Sequence, residues 1–114
     1  MPSDDRDAVY IGHMLDITRR TIGVVQSKTR ADYDNDEVLR MGLTHFVQVI
    51  GEAARRVSEE FQSAHPEIPW RQIIGMRHRI VHDYMSVDED VLWEVVTSDL
   101  PALLPQLEKI APGE

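Results

Sequence analysis

Apolar residues recur at helical spacing through the first half of the chain. Between about residues 5 and 28 they fall on one side of a helix, with charged and amide side chains largely opposite. Between about residues 34 and 61 they recur at i, i+3, i+4 and i+7 for roughly six turns, and Asp34 or Asn35 is the expected N-cap. The link between the two segments is short enough to return the chain antiparallel, so the pattern predicts a helical hairpin.

Prolines divide the second half of the chain. Pro66 and Pro69 disfavour helix in the residues before them, and Pro69 is a suitable first residue for a third helix that reaches about Tyr84. Ser86 and Glu89 have the spacing of a capping box, which predicts the start of a fourth helix.

The last apolar segment contains Pro101 and Pro105, so a kink or a fresh helix start is expected near residues 98–101. No segment has the alternating pattern of a strand. We therefore predict an all-α fold, an antiparallel bundle of four or five helices. One domain is expected over residues 1–114, with short flexible ends at about residues 1–4 and 111–114.

Composition narrows the classes of function. The chain has 114 residues, 12 basic and 20 acidic, for a formal net charge of −8. The absence of cysteine excludes thiol chemistry and fits a reducing cytoplasm. The acidic start lacks the features of a signal peptide and no apolar run approaches ~20 residues, so we expect a cytoplasmic protein with no membrane partner. Because coating nucleic acid needs clustered cations, any contact with nucleic acid should be local.

Arg77 is the residue that least fits its surroundings. On a wheel of the predicted third helix it falls in the middle of an apolar sector. A buried guanidinium without a partner is too costly to keep. Arg77 should therefore either pair with an acid, for which Glu52, Asp83 and Glu94 are candidates, or face a cleft where an anion arrives.

The neighbours of Arg77 suggest the anion. Tyr84 lies almost directly above it on the same wheel, whereas His82 points roughly 140° away, on the polar side with His78. Arg77 and His82 of one straight helix could not easily grip the same atom, but two copies in a symmetric dimer could. Residues 71–82 hold three arginines and two histidines and no acid, a positive island that would attract a phosphodiester.

Arg77 and His82, separated by four residues and followed by Tyr84, match the Arg-x4-His-x-Tyr motif of the HepT toxin family, which belongs to the HEPN superfamily of helical ribonucleases. The resemblance covers nearly the whole chain in the right order. It is carried by Ile50-Gly51-Glu52-Ala53-Ala54, Ile68-Pro69-Trp70, the run from Gly75 to Tyr84, Trp93 and Leu100-Pro101. The family usually has a small polar residue directly after the arginine, whereas this chain has His78, a departure that would affect rate or substrate preference.

The resemblance implies a metal-independent endoribonuclease that needs no cofactor and works as a homodimer. It further implies a toxin paired with a nucleotidyltransferase antitoxin of the MntA type, which adenylylates the motif tyrosine, here Tyr84. An adenylyl group there would add bulk and negative charge beside the positive island and block the cleft.

The residue types suit RNA cleavage. An imidazole with a pKa near ~6.5 can move protons at neutral pH, and a guanidinium can hold phosphate oxygens as charge grows. We hypothesise that His82 transfers the proton and Arg77 binds the scissile phosphate, with both protomers contributing. Dependence on the 2′-OH would spare DNA. His78, Asp83 and Glu52 are candidate auxiliary residues.

Other interpretations of these residues remain open. His78 and His82, four apart, could chelate a metal, but a third ligand and a catalytic glutamate are missing, so no metal site is predicted. Glu52 lies with His45, Gln48 and Arg55 on the polar face of the second helix, which is either solvated surface or the wall of a dimer cleft. The alternative function is a non-catalytic HEPN module that binds a nucleotide or a partner protein.

Overall fold

The computed structural model describes the backbone of residues 2–83 and 86–111 and the side chains of residues 6–81 and 86–111. Within these ranges the chain forms, in order, α1 (Pro2–Val25), α2 (Arg30–Asp34), α3 (Glu37–Arg56), α4 (Glu59–Ala64), α5 (Trp70–Ile74), α6 (Met76–Ile80), β1 (Val81–Asp83), β2 (Ser86–Val87), α7 (Glu89–Glu94), a π-helix (Val95–Asp99) and α8 (Leu100–Ile110). The predicted all-α class is confirmed, with the short β1–β2 hairpin as the exception among the described residues.

The predicted pairing of the first two long helices is confirmed, and the link between them contains a short helix. Thr29 caps α2 through a capping box with Asp32, in which each side chain accepts a hydrogen bond from the other residue's backbone N–H. Helix α3 begins at Glu37, and its N-cap is Asp36 rather than Asp34 or Asn35. The N-cap prediction was therefore wrong by one or two residues, because Asp34 belongs to α2.

The second long helix ends earlier than its apolar pattern predicted. Helix α3 stops at Arg56, Val57 is extended, and Ser58 caps the separate helix α4. The Asp7 carboxylate, only 2% exposed, accepts hydrogen bonds from the Ser58 backbone N–H at 2.8 Å and from its hydroxyl at 2.7 Å. Asp7 thereby joins the start of α1 to the end of α3, as an antiparallel pair requires.

The predicted third helix does not run to Tyr84. It is interrupted at Gly75 between α5 and α6, and it ends at Ile80. The chain then enters β1, which pairs antiparallel with β2 in the register Val81↔Val87 and Asp83↔Ser86, with a bulge between. The expectation that no strand is present was therefore wrong. Strands of three and two residues are too short to show an alternating pattern.

The fourth helix starts at a different cap and contains an irregular turn. Ser86 lies in β2, and the side chain of Asp88 accepts the capping hydrogen bond from Val91 N–H, so the predicted capping box is absent. The fresh helix start expected near residues 98–101 is present. The Leu100 N–H donates to the carbonyl five residues back and α8 begins there, a wider turn that accommodates the ring of Pro101.

A polar network ties α7 to the α2–α3 link. The buried hydroxyl of Tyr33 donates to the Glu89 carboxylate, and Arg40 lies 3.8 Å from the other oxygen of that carboxylate. The Tyr33 ring also packs against Trp93, with 5.1 Å between ring centroids. Burial, and then the bond to Glu89, raise the pKa of Tyr33 above its ordinary value. The network fixes the segment that directly follows the β1–β2 hairpin.

The hydrophobic core is shared by all the longer helices. Its buried side chains come from α1, α3, α5, α6, α7, the π-helix and α8, with Tyr33 from α2 and with Val57 and Ile68 from the segments between helices; the largest fully buried ones include Ile11, Met14, Leu43, Ile50, Ile68, Ile80, Leu92, Leu100 and Leu107. None of the helices among the described residues combines the length and the apolar character needed to cross a bilayer.

Candidate active site

Arg77 lies on α6 and is exposed, lining a groove of about 890 Å³ between α3 and the α5–α6 segment. The expectation that Arg77 sits inside an apolar sector was wrong. The wheel assumed one continuous helix, whereas the interruption at Gly75 lets Met76 and Ile80 turn into the core while Arg77 turns towards the groove. Of the two alternatives drawn from sequence, the observed position fits the cleft, whereas a salt bridge with Asp83 involves a side chain outside the described ones.

Cations dominate the groove. Three arginines line it against one glutamate, a formal charge of +2 on a chain whose net charge is −8. Its polar lining is completed by His78 and two glutamines, and its apolar part comes mainly from the floor between the helices. The lining residues are Val47, Gln48, Gly51, Glu52, Arg55, Gln62, Trp70, Arg71, Ile74, Gly75, Arg77 and His78.

Close packing of α3 against α5 forms the floor of the groove. Gly51 is buried at this crossing, where an added Cβ atom would stand 3.1 Å from the carbonyl oxygen of Ile73. A contact that short is tighter than ordinary packing, so a side chain here would have to push the helices apart. Because Gly51 has no side chain, the two helices can approach closely. Their approach brings Arg77 on α6 and the polar face of α3 to the same groove.

Glu52, a candidate auxiliary residue, lines the groove but binds other cations. Its carboxylate accepts hydrogen bonds from Arg55 at 3.0 Å and from Arg56 at 3.2 Å, and these bonds lower the pKa of Glu52. Among the side chains that the structure describes, no carboxylate lies within 4.0 Å of the Arg77 guanidinium. The salt-bridge alternative for Arg77 therefore fails for Glu52 and for Glu94.

The remaining candidate residues lie on α6 and directly after it. His78 is on α6 and is exposed in the groove beside Arg77. His82 and Asp83 have their backbone in β1, and their side chains lie outside the described ones. The prediction that Tyr84 lies above Arg77 falls on a residue outside the described ranges. Because β1 leaves the helix axis, the 140° separation of Arg77 and His82 does not apply to this chain.

The positive island is divided between two faces. Arg71, Arg77 and His78 line the groove described above. Arg79 turns to the opposite side, where its guanidinium lies 3.6 Å from Asp99 and helps to line a second groove of about 330 Å³ against α8. Residues 71–82 contain three arginines and two histidines. Two of these arginines and one histidine therefore share one surface, and Arg79 lies on another.

Sequence reasoning named some of the groove and missed the rest. Gln48, Glu52 and Arg55 from the polar face of α3 do line it, but His45 does not. Trp70 and Gln62 were missed as lining residues. The Trp70 indole N–H donates to the carbonyl of His65 at 3.0 Å and is thereby held at the groove's edge.

Geometry and charge together define a helical bundle with a groove of formal charge +2, lined by Arg77, the first residue of the Arg-x4-His motif. No group of three or more His, Asp or Glu that could hold a metal ion is present in the described part of the chain. A family model described as "Ribonuclease HepT-like" matches residues 14–110. The chain belongs to this family, the HepT-like ribonucleases of the HEPN superfamily, and the resemblance drawn from sequence is confirmed.

Curated relatives agree with the family. The chain is 37% identical over 79 residues to the "Probable ribonuclease HepT" of Thermococcus cleftensis, covering 69% of this chain and 72% of the relative. It is 30% identical over 105 residues to a "Putative RNase" of Caldanaerobacter subterraneus subsp. tengcongensis, covering 92% and 94%. A "Putative RNase" of Methanocaldococcus jannaschii is 28% identical over 98 residues, covering 83% and 90%. No solved structure matches.

Proposed function

We propose that the chain is a metal-independent endoribonuclease that cleaves RNA by attack of the 2′-OH on the adjacent phosphate. The observation that carries this proposal is the Arg77 guanidinium, exposed on a positively charged groove with no carboxylate beside it in the described part of the chain. A guanidinium placed this way can bind a phosphate with two parallel hydrogen bonds. Membership of the HepT-like ribonucleases makes an RNA phosphate the natural ligand.

In the proposed reaction a base removes the proton of the 2′-OH, and the 2′ oxygen forms a bond to phosphorus. The bond from phosphorus to the 5′ oxygen breaks, and an acid protonates that oxygen. The products are a 2′,3′-cyclic phosphate and a free 5′-OH, and no metal is needed to balance the step. We assign proton transfer to His82, because an imidazole exchanges protons near neutral pH, and assign stabilisation of the added phosphate charge to Arg77.

We propose that two copies of the chain form the working enzyme. The reaction needs one base and one acid, and a symmetric pair offers His82 twice. The argument from a straight helix no longer supports this, since His82 lies in β1; the family resemblance supports it. His78, next to Arg77 in the groove, is proposed to assist substrate binding, Glu52 on the facing wall to modulate it through its ion pair with Arg55, and Asp83, next to His82 in sequence, to assist its proton transfer.

We further propose that the chain is a cytoplasmic toxin restrained by a nucleotidyltransferase antitoxin that adenylylates Tyr84. The added phosphate would carry negative charge close in sequence to Arg77 and compete with RNA for it. Coexpression with the cognate nucleotidyltransferase should raise the mass of the chain by one or more adenylyl units and abolish cleavage. Tyr84→Phe should keep its mass under the same conditions. An unmodified wild-type chain beside an active nucleotidyltransferase would refute this part.

The test of catalysis is cleavage of single-stranded RNA by the unmodified chain in the presence of a chelator. Wild type should produce 2′,3′-cyclic phosphate ends, and Arg77→Ala and His82→Ala should each lower the rate by about 100-fold or more. Arg79→Ala is the matched control, since it removes the same charge from the opposite face of α6. RNA that is bound but never cut would favour the non-catalytic module. His82→Ala cutting at the wild-type rate would refute the assignment of His82.

A further inference from the structure

Most arginines of this acidic chain are neutralised by neighbours. Seven of the ten lie within 4.0 Å of a carboxylate. Of the three arginines that lack such a partner among the described residues, two line the same groove, and these are Arg71 and Arg77. On a chain with 20 acidic residues, two exposed guanidiniums on one surface with no carboxylate partner among the described side chains indicate a site for an incoming anion with more than one negative charge.

The two guanidiniums reach the groove from different helices. Arg71 is on α5 and Arg77 on α6, and the interruption at Gly75 lies between them. Because an arginine side chain is long and both are exposed, the pair can contact the phosphates of neighbouring nucleotides.

The rest of the lining favours the backbone of the nucleic acid over its bases. Trp70 is the aromatic residue among the described lining residues, and it is only 7% exposed, with its indole N–H already donated to His65. Among the described lining residues, the imidazole of His78 is therefore the one exposed ring on which a base could stack. Binding should therefore depend on phosphate charge and little on base identity.

We propose that Arg71 is the phosphate-binding residue of a second subsite, one that holds a backbone phosphate of single-stranded RNA next to the phosphate at Arg77. The inference rests on the proposed ribonuclease function for the identity of the ligand. Glu52 sets the strength of this subsite from the opposite wall, because its ionised carboxylate repels phosphate and holds Arg55 in an ion pair at 3.0 Å. The hydrogen bonds from Arg55 and Arg56 keep that carboxylate charged.

The geometry predicts that two substitutions change the affinity for RNA in opposite directions. Arg71→Gln removes one phosphate contact, so the Kd for RNA should rise about 5- to 10-fold and the slope of log K against log salt should fall by about 0.7. Glu52→Gln removes the repelling charge and releases Arg55, so the Kd should fall. Arg79→Gln is the matched control: it makes the same charge change as Arg71→Gln on the opposite face, beside Asp99, and should leave the Kd near wild type.

The experiment measures binding of the unmodified full chain to a fluorescent 2′-O-methyl RNA by anisotropy over a series of salt concentrations. This probe cannot undergo 2′-OH attack, so binding is measured independently of cleavage. Circular dichroism and elution volume are compared first, so that every variant is tested in its folded state. The expected order of Kd is Glu52→Gln, then wild type and Arg79→Gln, then Arg71→Gln.

The results can refute the Arg71 subsite and the proposed catalysis independently of each other. If Arg71→Gln and Arg79→Gln bind equally, or if wild type does not bind the probe, the subsite is refuted even where natural RNA is cleaved. If binding follows the expected order but natural RNA stays intact, the subsite stands and the catalytic assignment is refuted.

Discussion

The crossing of α3 and α5 at Gly51 allows a sharp test of the packing that builds the groove. A Cβ atom at this position would stand 3.1 Å from the carbonyl oxygen of Ile73 and 3.7 Å from that of Ile74. Both obstacles are backbone atoms of a buried helix, so they cannot rotate away as a flexible side chain would. Gly51→Ala should therefore push α5 outwards by a few tenths of an ångström.

Two opposing effects set the magnitude of the stability change. Alanine is favoured over glycine inside a helix by about 1 kcal/mol, whereas forcing an extra methyl group into a packed interface costs about 1–3 kcal/mol. The balance predicts that Gly51→Ala lowers the free energy of unfolding by about 1 kcal/mol. For a domain of this size that corresponds to a Tm lower by about 4 °C.

Gly42→Ala is the matched control on the same helix. An added Cβ at Gly42 meets nothing within 4 Å, so only the gain in helix preference remains, and the free energy of unfolding should rise by up to about 1 kcal/mol. Urea and thermal denaturation followed by circular dichroism measure both variants. If Gly51→Ala were stabilised as much as Gly42→Ala, the close approach of α3 and α5 would be wrong, and with it the floor of the groove.

Two further predictions concern the polar contacts that hold the bundle together. Tyr33→Phe should lower the free energy of unfolding by about 1.5 kcal/mol at pH 7 in chemical denaturation, because it leaves Glu89 without its buried donor. Since the pKa of Tyr33 is raised in the folded protein, wild type should lose this advantage as the pH rises above about 10, the value for an unfolded tyrosine; a constant difference between the two proteins across that range would contradict the network. Asp7→Ala should lower the free energy of unfolding by about 2 kcal/mol, because it leaves Ser58 without its acceptor. The control is Asp16→Ala: Asp16 is exposed and paired with an arginine one turn away, so its loss should be below about 0.5 kcal/mol. Equal losses in thermal denaturation would show that the Asp7 contact contributes nothing.

The spacing of apolar residues predicted the long helices well, because it marks the side chains that are buried where α1 packs against α3. It could not locate where α3 ends. Ala53, Ala54, Val57 and Phe61 keep the helical period across the break, but the chain leaves the helix at Val57, where the Ser58 hydroxyl and backbone N–H bind Asp7. That partner lies 51 residues earlier in the chain, so a local pattern carries no information about it.

The candidate site was predictable in its residue types but not in its geometry. Arg77 was found because a cation interrupts an apolar pattern, and this signal holds whether the residue is buried or turned outwards. Its direction depends on the interruption at Gly75, which breaks the phase of the wheel. Gly75 and Gly51 were visible only as family residues. For Gly51 the reason is that the space it leaves for the Ile73 carbonyl exists only after α3 and α5 are packed.

The end of α6 at Ile80 changes how the two motif residues must be considered. On a continuous helix their separation would be fixed by residue number alone, and a single chain could not bring them to one phosphate. In this fold the position of His82 depends instead on β1, which is held by the pairing of Val81 with Val87 and by the hydrogen bond from Asp88 N–H to the Ile80 carbonyl at 2.6 Å. Helix geometry therefore no longer requires a second copy of the chain to bring Arg77 and His82 to one phosphate. Mixed dimers of two inactive variants can test whether the two residues act within one protomer or across two. If Arg77 of one copy and a single His82 of the other suffice, mixing inactive Arg77→Ala with inactive His82→Ala should restore cleavage in the heterodimer; if each phosphate is served by one protomer, or needs both copies of His82, the mixture should stay inactive.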